Sequence, residues 1–116
     1  NFRISKISDT IRYMAAWVSL ATQDTLKVFG DTIRAARLQR NMTISELAER
    51  LGVSHVTVRK VERGDPTVAI GTMFEAAHIL RVPLYDDLDR VRDTTRSTLT
   101  LLRKRARTPA RPSNDF

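Results

Sequence analysis

The side chains best suited to chemistry in this chain lie between Ser54 and Gly64. Val58 and Val61 have the spacing of the inward face of one short helix. The outward positions of that helix are occupied by His55, Val56, Arg59 and Lys60. A lysine donates to guanine O6 and N7, a histidine donates to or accepts from a base edge, and a valine packs on a thymine methyl group. These four residues are therefore predicted as DNA base contacts in a major groove.

Hydroxyl groups near the starts of two predicted helices are the candidates for phosphate contacts. Thr43 and Ser45 lie at the start of the first helix, and Ser54 and Thr57 lie at the start of the second. Backbone N–H groups at a helix start favour anions, and a nearby hydroxyl group adds a further donor. We predict these four residues as DNA phosphate contacts.

Two short helices joined by a tight turn are predicted to position these side chains. Thr43 and Glu46 have the spacing of a capping box, which marks the start of the first helix. Gly52 ends that helix and Gly64 ends the second, where a positive φ is cheap for glycine. Two helices of this length with a glycine-containing turn are typical of a helix-turn-helix. The spacing alone leaves open a helical hairpin without a DNA role.

Helices on both sides of this pair are predicted to close a small core. The first, from about Thr25 to Asn41, carries a stripe formed by Leu26, Phe29, Ile33 and Arg37. A fourth helix carries the stripe Ile70, Met73, Phe74, Ala77 and Leu80. Pro83 opens a short fifth helix from Leu84 to Leu88. Since no segment alternates as a strand does, the predicted fold class is all-α.

Arg37 needs a partner if its stripe is buried, because an unpaired buried charge is very costly. Glu62 lies on the core side of the second motif helix and is the obvious candidate. We predict Arg37 and Glu62 as a structural ion pair. The alternative is that water solvates both side chains.

Residues 1–24 are predicted as a separate amphipathic helix. Their heptad-like apolar positions are Ile4, Ile7, Ile11, Met14, Val18 and Ala21. Such a helix either mediates dimerisation or packs on its own domain, and the pattern does not decide between the two. Met14 is also a possible start codon, in which case residues 1–13 are not native.

The positive charge of the chain is concentrated at its C-terminal end. The net charge is +7 over 116 residues, yet residues 26–89 carry nine basic and nine acidic side chains. Residues 90–116 carry eight basic and two acidic side chains, with prolines near the end, and are predicted as a basic, flexible tail. A basic tail is attracted to DNA phosphates or to an acidic protein groove. Its candidate partner-binding residues are Arg103, Lys104, Arg105, Arg107 and Phe116.

Several classes of function have no support in the sequence. There is no Cys, hence no disulfide or thiolate metal site, and no apolar run long enough to span a bilayer. There is no Gly-rich phosphate loop, HExxH motif or nucleophile elbow. His55 and His78 have no evident ligand set around them. We therefore expect a cytoplasmic protein that is not an enzyme and uses no cofactor or metal.

Residues from about 26 to 88 resemble the Xre/Cro/phage-repressor helix-turn-helix family. The family consensus is close to T-Q-x-E-L-A-x-x-L-G-V-S, followed by a recognition helix and E-x-G. The matching positions here read Thr43-Ile44-Ser45-Glu46-Leu47-Ala48-Glu49-Arg50-Leu51-Gly52-Val53-Ser54 and Glu62-Arg63-Gly64. Ile44 stands where the family frequently has a Gln that contacts DNA.

This resemblance implies a five-helix phage-repressor-like domain, to which the predicted N-terminal helix and the basic C-terminal tail are additions. The domain is expected to span residues 25–89, between the helix of residues 1–24 and the tail of residues 90–116. The resemblance implies the Arg37–Glu62 ion pair, base contacts at His55, Val56 and Lys60, and binding of a double-stranded DNA operator as a homodimer.

A narrower resemblance is to HipB-like antitoxins, which partner HipA-like serine/threonine kinase toxins. It is carried by GDPTVAIGTMFEAAHIL, from Gly64, and by Leu102-Arg103-Lys104-Arg105-Ala106-Arg107 with the ending Asp115-Phe116. It implies a bacterial, nucleoid-associated autorepressor that also binds a HipA-like kinase. The alternatives are a stand-alone phage-like repressor, and a protein-interaction adaptor whose helix-turn-helix no longer reads DNA.

Overall fold

Five α-helices and no strand make up residues 18–107, the part of the chain that this computed structural model describes. They are α1 (Leu20–Gln39), α2 (Ile44–Leu51), α3 (His55–Arg63), α4 (Ile70–Ile79) and α5 (Leu88–Arg107). The predicted all-α helix-turn-helix fold is confirmed. The chain divides into two compact units, the first ending at Pro83 and the second beginning at Leu84.

α1 begins five residues earlier than predicted. The Ser19 hydroxyl accepts the backbone N–H of Thr22 at 3.1 Å and caps the helix. The predicted start at Thr25 is wrong, because Thr25 is already inside the helix and its hydroxyl donates to the Ala21 carbonyl at 3.0 Å. The predicted boundary between residues 24 and 25 therefore falls within one helix. The heptad positions before Val18 lie outside the described residues.

α2 and α3 have the start and stop signals that the sequence contains. Thr43 and Glu46 form both hydrogen bonds of the capping box, each at 3.0 Å. Ser54 caps α3 by accepting the N–H of Thr57. Gly52 and Gly64 end the two helices in the left-handed region, with φ of 68° and 75°. These caps set the lengths of both helices and thereby the turn between them.

The core of the first unit lies where α1, α2, α3 and α4 meet. Its fully buried large side chains are Ile33, Leu47, Val58, Val61 and Leu80. Burying a side chain of this size contributes about 1.5–3 kcal/mol relative to leaving it exposed. The small Ala48 is also buried, in the helix that crosses the start of α3. These contacts hold α2 and α3 at a fixed angle.

α4 packs through a different face from the one that we predicted. Its buried residues are Met73, Ala76 and Ala77. The prediction that Ile70 and Phe74 belong to the core is wrong, since they are 67% and 48% exposed. The two alanines lie at the centre of the buried face, and Ile70 and Phe74 lie at its edge. They leave an apolar surface one helical turn long.

The second unit differs most from the sequence expectation. The predicted helix from Leu84 to Leu88 does not form, and Leu84 is exposed. Instead α5 begins at Leu88 and continues for 20 residues, so the prediction of a flexible tail from residue 90 is wrong as far as Arg107.

Two features explain why this basic segment is helical. Leu, Arg and Lys are good helix formers and outweigh the Thr and Ser residues of this segment, whose helix propensity is lower. Asp89 lies in the first turn, while Lys104, Arg105 and Arg107 lie in the last. This arrangement places negative charge at the positive end of the helix dipole and positive charge at the negative end.

The turn after α3 is held by the Asp65 carboxylate. It accepts the Thr67 backbone N–H at 2.8 Å and the Thr67 hydroxyl at 2.6 Å. Burial raises the pKa of Asp65, but these hydrogen bonds and the positive charges of Lys60 and Arg63 outweigh it. The pKa of Asp65 therefore lies below its ordinary value, and the folded state favours the carboxylate.

Replacing this carboxylate should make the protein less stable at neutral pH and less sensitive to acid. Asp65→Asn is expected to cost about 1 kcal/mol at pH 7, after allowance for solvent screening of a partly exposed group. The contribution is fully present above the ordinary pKa of 3.8 and is lost as the pH falls through the lowered value. Thermal unfolding of both proteins from pH 7 to pH 2 should give curves that converge in acid. Asp86→Asn, at an exposed carboxylate, is the control, and an equal loss there would contradict the assignment.

Candidate nucleic-acid interface

α3 turns two valines into the core and presents its opposite face to solvent. Val58 and Val61 are buried, while His55, Val56 and Arg59 are exposed. The three exposed side chains lie in the first half of the helix. Their exposure meets the first requirement for reading base edges, and the base contacts themselves stay a prediction.

Lys60 is the fourth predicted base contact, and its surroundings differ from those of the other three. It is half-buried, and its positive charge helps to lower the pKa of Asp65. Lysine buries its aliphatic stem readily while the ammonium group stays in water. A DNA phosphate or guanine must therefore compete with the nearby Asp65 carboxylate for the ammonium group of Lys60.

The predicted phosphate contacts are already part of the helix caps. The Thr43 hydroxyl accepts the Glu46 N–H, and the hydroxyls of Ser54 and Thr57 lie 3.2 Å apart. A hydroxyl that accepts one hydrogen bond still has its own proton to donate. Thr43 and Ser54 can thus cap their helices and donate to a phosphate oxygen at the same time.

Ser45 and His55 form a contact that the sequence analysis missed. The Ser45 hydroxyl lies 3.0 Å from His55 Nε2 and joins the starts of α2 and α3. If Nε2 carries the proton, it donates to Ser45, and the serine proton is free for a phosphate. In the other tautomer, Ser45 donates to the ring, and Nδ1–H remains for a base edge. A predicted phosphate contact therefore orients a predicted base contact.

Arg37 and Glu62 lie within hydrogen-bonding distance inside the first unit. Arg37 Nε and Nη2 donate to the two Glu62 carboxylate oxygens at 2.6 Å and 3.1 Å, and both side chains are buried. Arg37 Nη1 also donates to the Met42 carbonyl at 2.9 Å. The hydrogen bond to Glu62 raises the pKa of Arg37. Through this pair α1 holds both α3 and the loop before α2.

The backbones of α1 and α3 approach each other so closely that only glycine fits at two points. A Cβ added at Gly30 would lie 2.5 Å from the Glu62 carbonyl oxygen. A Cβ added at Gly64 would lie 2.6 Å from the backbone of Leu26. Gly30 was not selected from the sequence. Glycine is unfavourable inside a helix compared with alanine, so its presence there could have indicated a close contact between backbones.

A groove of about 530 Å³ runs beside α3, between it, α1 and the start of α2. Five cationic and two acidic side chains line it, together with Ile44. Both acidic side chains are paired within the lining, Glu62 with Arg37 and Asp31 with Lys27 at 2.8 Å, so the net charge of the lining is positive. Arg59 faces this groove, as do Lys27 and Arg34 from α1, which sequence reasoning did not select. Lys27 and Arg34 are seven residues apart and therefore lie on one helix face. A cationic groove next to an exposed helix face is suited to a phosphate backbone.

The predicted tail residues lie on a helix. Arg103, Lys104, Arg105 and Arg107 are exposed near the end of α5, and Phe116 lies outside the described residues. Among residues 18–107, no group of three or more His, Cys, Asp or Glu side chains could hold a metal ion. No helix in that range is long and apolar enough to cross a membrane.

Comparison with known proteins identifies the part of the chain that contains this interface. Residues 33–86 match the helix-turn-helix family. The chain is 31% identical over 67 residues to the "Putative HTH-type transcriptional regulatory protein" of Methanococcoides burtonii. The match covers 58% of this chain and 21% of that relative, so the chain spans about a fifth of the relative's length. No solved structure gives a significant match.

Proposed function

We propose that this chain, whose residues 33–86 form a helix-turn-helix domain, is a DNA-binding transcriptional regulator. The observation that carries the proposal is the exposed first half of α3, which presents His55, Val56 and Arg59 beside a cationic groove. A helix-turn-helix places this helix in the major groove and uses the surrounding residues to hold phosphates. The name of the relative in M. burtonii supports the same function.

Sequence-specific binding by such a small domain requires two copies. One domain buries little DNA, and helix-turn-helix proteins bind two half-sites about 34–36 Å apart as two-fold dimers. We propose that the chain binds a palindromic double-stranded operator as a homodimer. His55, Val56, Arg59 and Lys60 contact bases, and Thr43, Ser45, Ser54 and Thr57 contact phosphates.

Loss of Lys60 should weaken binding to the DNA sequence that the native protein prefers. It should also relax the base preference at one position of that sequence. Lys60→Ala is expected to cost about 1–3 kcal/mol of binding free energy on duplexes selected by the native protein from a randomised library. Arg50→Ala is the matched control, since it removes an exposed cation that lies on α2, away from the exposed face of α3. Affinities measured at one fixed salt concentration give the comparison.

A double variant tests the recognition helix as a whole. His55→Ala with Lys60→Ala should abolish the preference for the selected duplex over a scrambled one. The control is a circular dichroism spectrum, which should show that the variant is folded. An unchanged affinity for the selected duplex would show that α3 does not read it.

We further propose that the regulator is the antitoxin of a toxin–antitoxin operon and binds a HipA-like serine/threonine kinase. Support comes from the likeness of the segment from Gly64 to HipB-like antitoxins, and from the basic end of α5. Within that segment, Ile70 and Phe74 are exposed apolar side chains one turn apart. Exposed apolar pairs of this kind suit a protein contact better than a DNA contact.

Affinity capture with the full chain from its source cell tests the antitoxin proposal. We expect a protein with a serine/threonine kinase sequence to co-purify and to be identified by mass spectrometry. A triple variant should weaken capture of the kinase if the basic end of α5 binds the kinase. It combines Arg103→Ala, Arg105→Ala and Arg107→Ala, and alanine keeps the sequence helix-forming. Capture of DNA without a kinase would favour a stand-alone repressor. Capture of protein partners without DNA would favour an adaptor.

A further inference from the structure

α5 is an amphipathic helix that has no buried residue. Five apolar residues and one threonine recur every three or four residues and form one stripe: Leu88, Val91, Thr95, Leu99, Leu102 and Ala106. Such spacing places all six side chains along one face of the helix. Charged side chains occupy much of the remaining surface.

About half of the surface of the central leucines in this stripe is exposed to solvent. Leu99 and Leu102 are 51% and 49% exposed. Helices of this length gain most of their stability in water from packing an apolar face against a partner, since propensity alone leaves them marginal. The stripe is therefore expected to be covered in solution.

The charges at the two ends of α5 indicate what covers it. Four acidic residues lie at or just before its first turns: Asp86, Asp87, Asp89 and Asp93. Arg90 and Arg92 lie among them and pair with Asp87 and Asp89, so this end keeps a net negative charge of two, 4 − 2, from Asp86 and Asp93. Four basic residues lie at its other end: Arg103, Lys104, Arg105 and Arg107. An antiparallel second copy would bring the acidic end of each helix beside the basic end of its partner. A parallel copy would bring like charges together, which is unfavourable.

We propose that α5 pairs with α5 of a second copy of this chain in antiparallel orientation. The stripe is consistent with this pairing, because two pairs of its positions, 88 with 106 and 95 with 99, are symmetric about Ser97, and Val91 and Leu102 are one residue away from being so. Leu88 of one copy then lies opposite Ala106 of the other, and Thr95 lies opposite Leu99. The pairing needs no DNA, so it can be tested separately from the proposed operator binding.

The first test is the oligomeric state of the full chain without DNA. Sedimentation at micromolar concentration is expected to show a dimer. Leu99→Lys with Leu102→Lys should weaken dimerisation roughly a hundredfold or more, since each change removes an apolar contact from both copies. Leu101→Lys is the matched control. It alters an equally exposed leucine, 54%, that lies outside the stripe on the same helix, and should leave the dimer intact.

The second test determines orientation and does not depend on destabilising variants. The chain has no cysteine, so Leu88→Cys and Ala106→Cys each introduce a single thiol. Antiparallel pairing predicts a disulfide between the two variants when they are mixed, and little for either alone. Disulfides in each variant alone would show a parallel pair and overturn the proposal. So would a monomeric native chain, equal sensitivity to the Leu101 change, or a dimer that forms only with DNA or another protein bound.

Discussion

Glu62→Ala is expected to destabilise the first unit by about 3–5 kcal/mol. Both members of the Arg37–Glu62 pair are buried, and Arg37 donates twice to the Glu62 carboxylate. Removing the carboxylate leaves a guanidinium group in the core with only the Met42 carbonyl as acceptor. Since small domains have a total stability of about 5–15 kcal/mol, a large share of the variant should be unfolded under mild denaturation. Urea unfolding followed by circular dichroism measures the loss.

Two further variants separate the buried charge from the loss of a side chain. Glu75→Ala removes an exposed carboxylate from α4 and should change stability by less than about 0.5 kcal/mol. Arg37→Met combined with Glu62→Met should be more stable than Glu62→Ala alone, because an apolar pair leaves no buried charge without a partner. If Glu62→Ala unfolds like the native chain, the pair does not stabilise the interface between α1 and α3.

Gly30→Ala is expected to force α1 and α3 apart and to destabilise the first unit. Its Cβ would lie 2.5 Å from the Glu62 carbonyl oxygen and 2.7 Å from that of Val61. These are backbone atoms, so no side-chain rotation relieves the clash, and α1 must move away from α3. We expect a cost of about 3 kcal/mol, at the upper end of the range for overpacking.

Gly71→Ala is the matched control for Gly30→Ala. Gly71 also lies within a helix, and a Cβ there would meet nothing within 4 Å. The same change should be neutral or stabilise the protein by up to about 1 kcal/mol through helix propensity. Gly30→Ala should therefore lower the thermal unfolding temperature, whereas Gly71→Ala should leave it unchanged or raise it. Equal stability of the two variants would mean that α1 and α3 do not pack at this distance.

The helix-turn-helix was predictable because its signals are local. Thr43, Glu46, Gly52 and Gly64 act on backbone groups within four residues of themselves, so sequence spacing determines what they do. The Arg37–Glu62 pair spans 25 residues, yet it was anticipated because a charge on an apolar stripe requires a compensating charge. In both cases one physical requirement left few alternatives.

The features that sequence reasoning did not predict depend on tertiary geometry or on small differences in helix propensity. Ile70 and Phe74 are exposed because α4 packs through the face that contains Ala76 and Ala77. Apolar periodicity alone does not determine which face of α4 is buried. The contact between Ser45 and His55 requires the crossing of two helices. α5 was predicted as part of a flexible tail because its Thr and Ser content, and the charges and prolines after Leu102, were given more weight than the apolar residues Val91, Leu99, Leu101 and Leu102.

The central claim is that α3 reads DNA, and the most direct measurement is a selection from a randomised duplex library with the full native chain. If α3 reads DNA, one inverted repeat with half-site centres about one helical turn apart is enriched. Lys60→Ala, put through the same selection, is expected to relax one position in each half-site. Recovery of no common sequence over repeated rounds, or of the same sequence by the native chain and the His55→Ala, Lys60→Ala double variant, would contradict it.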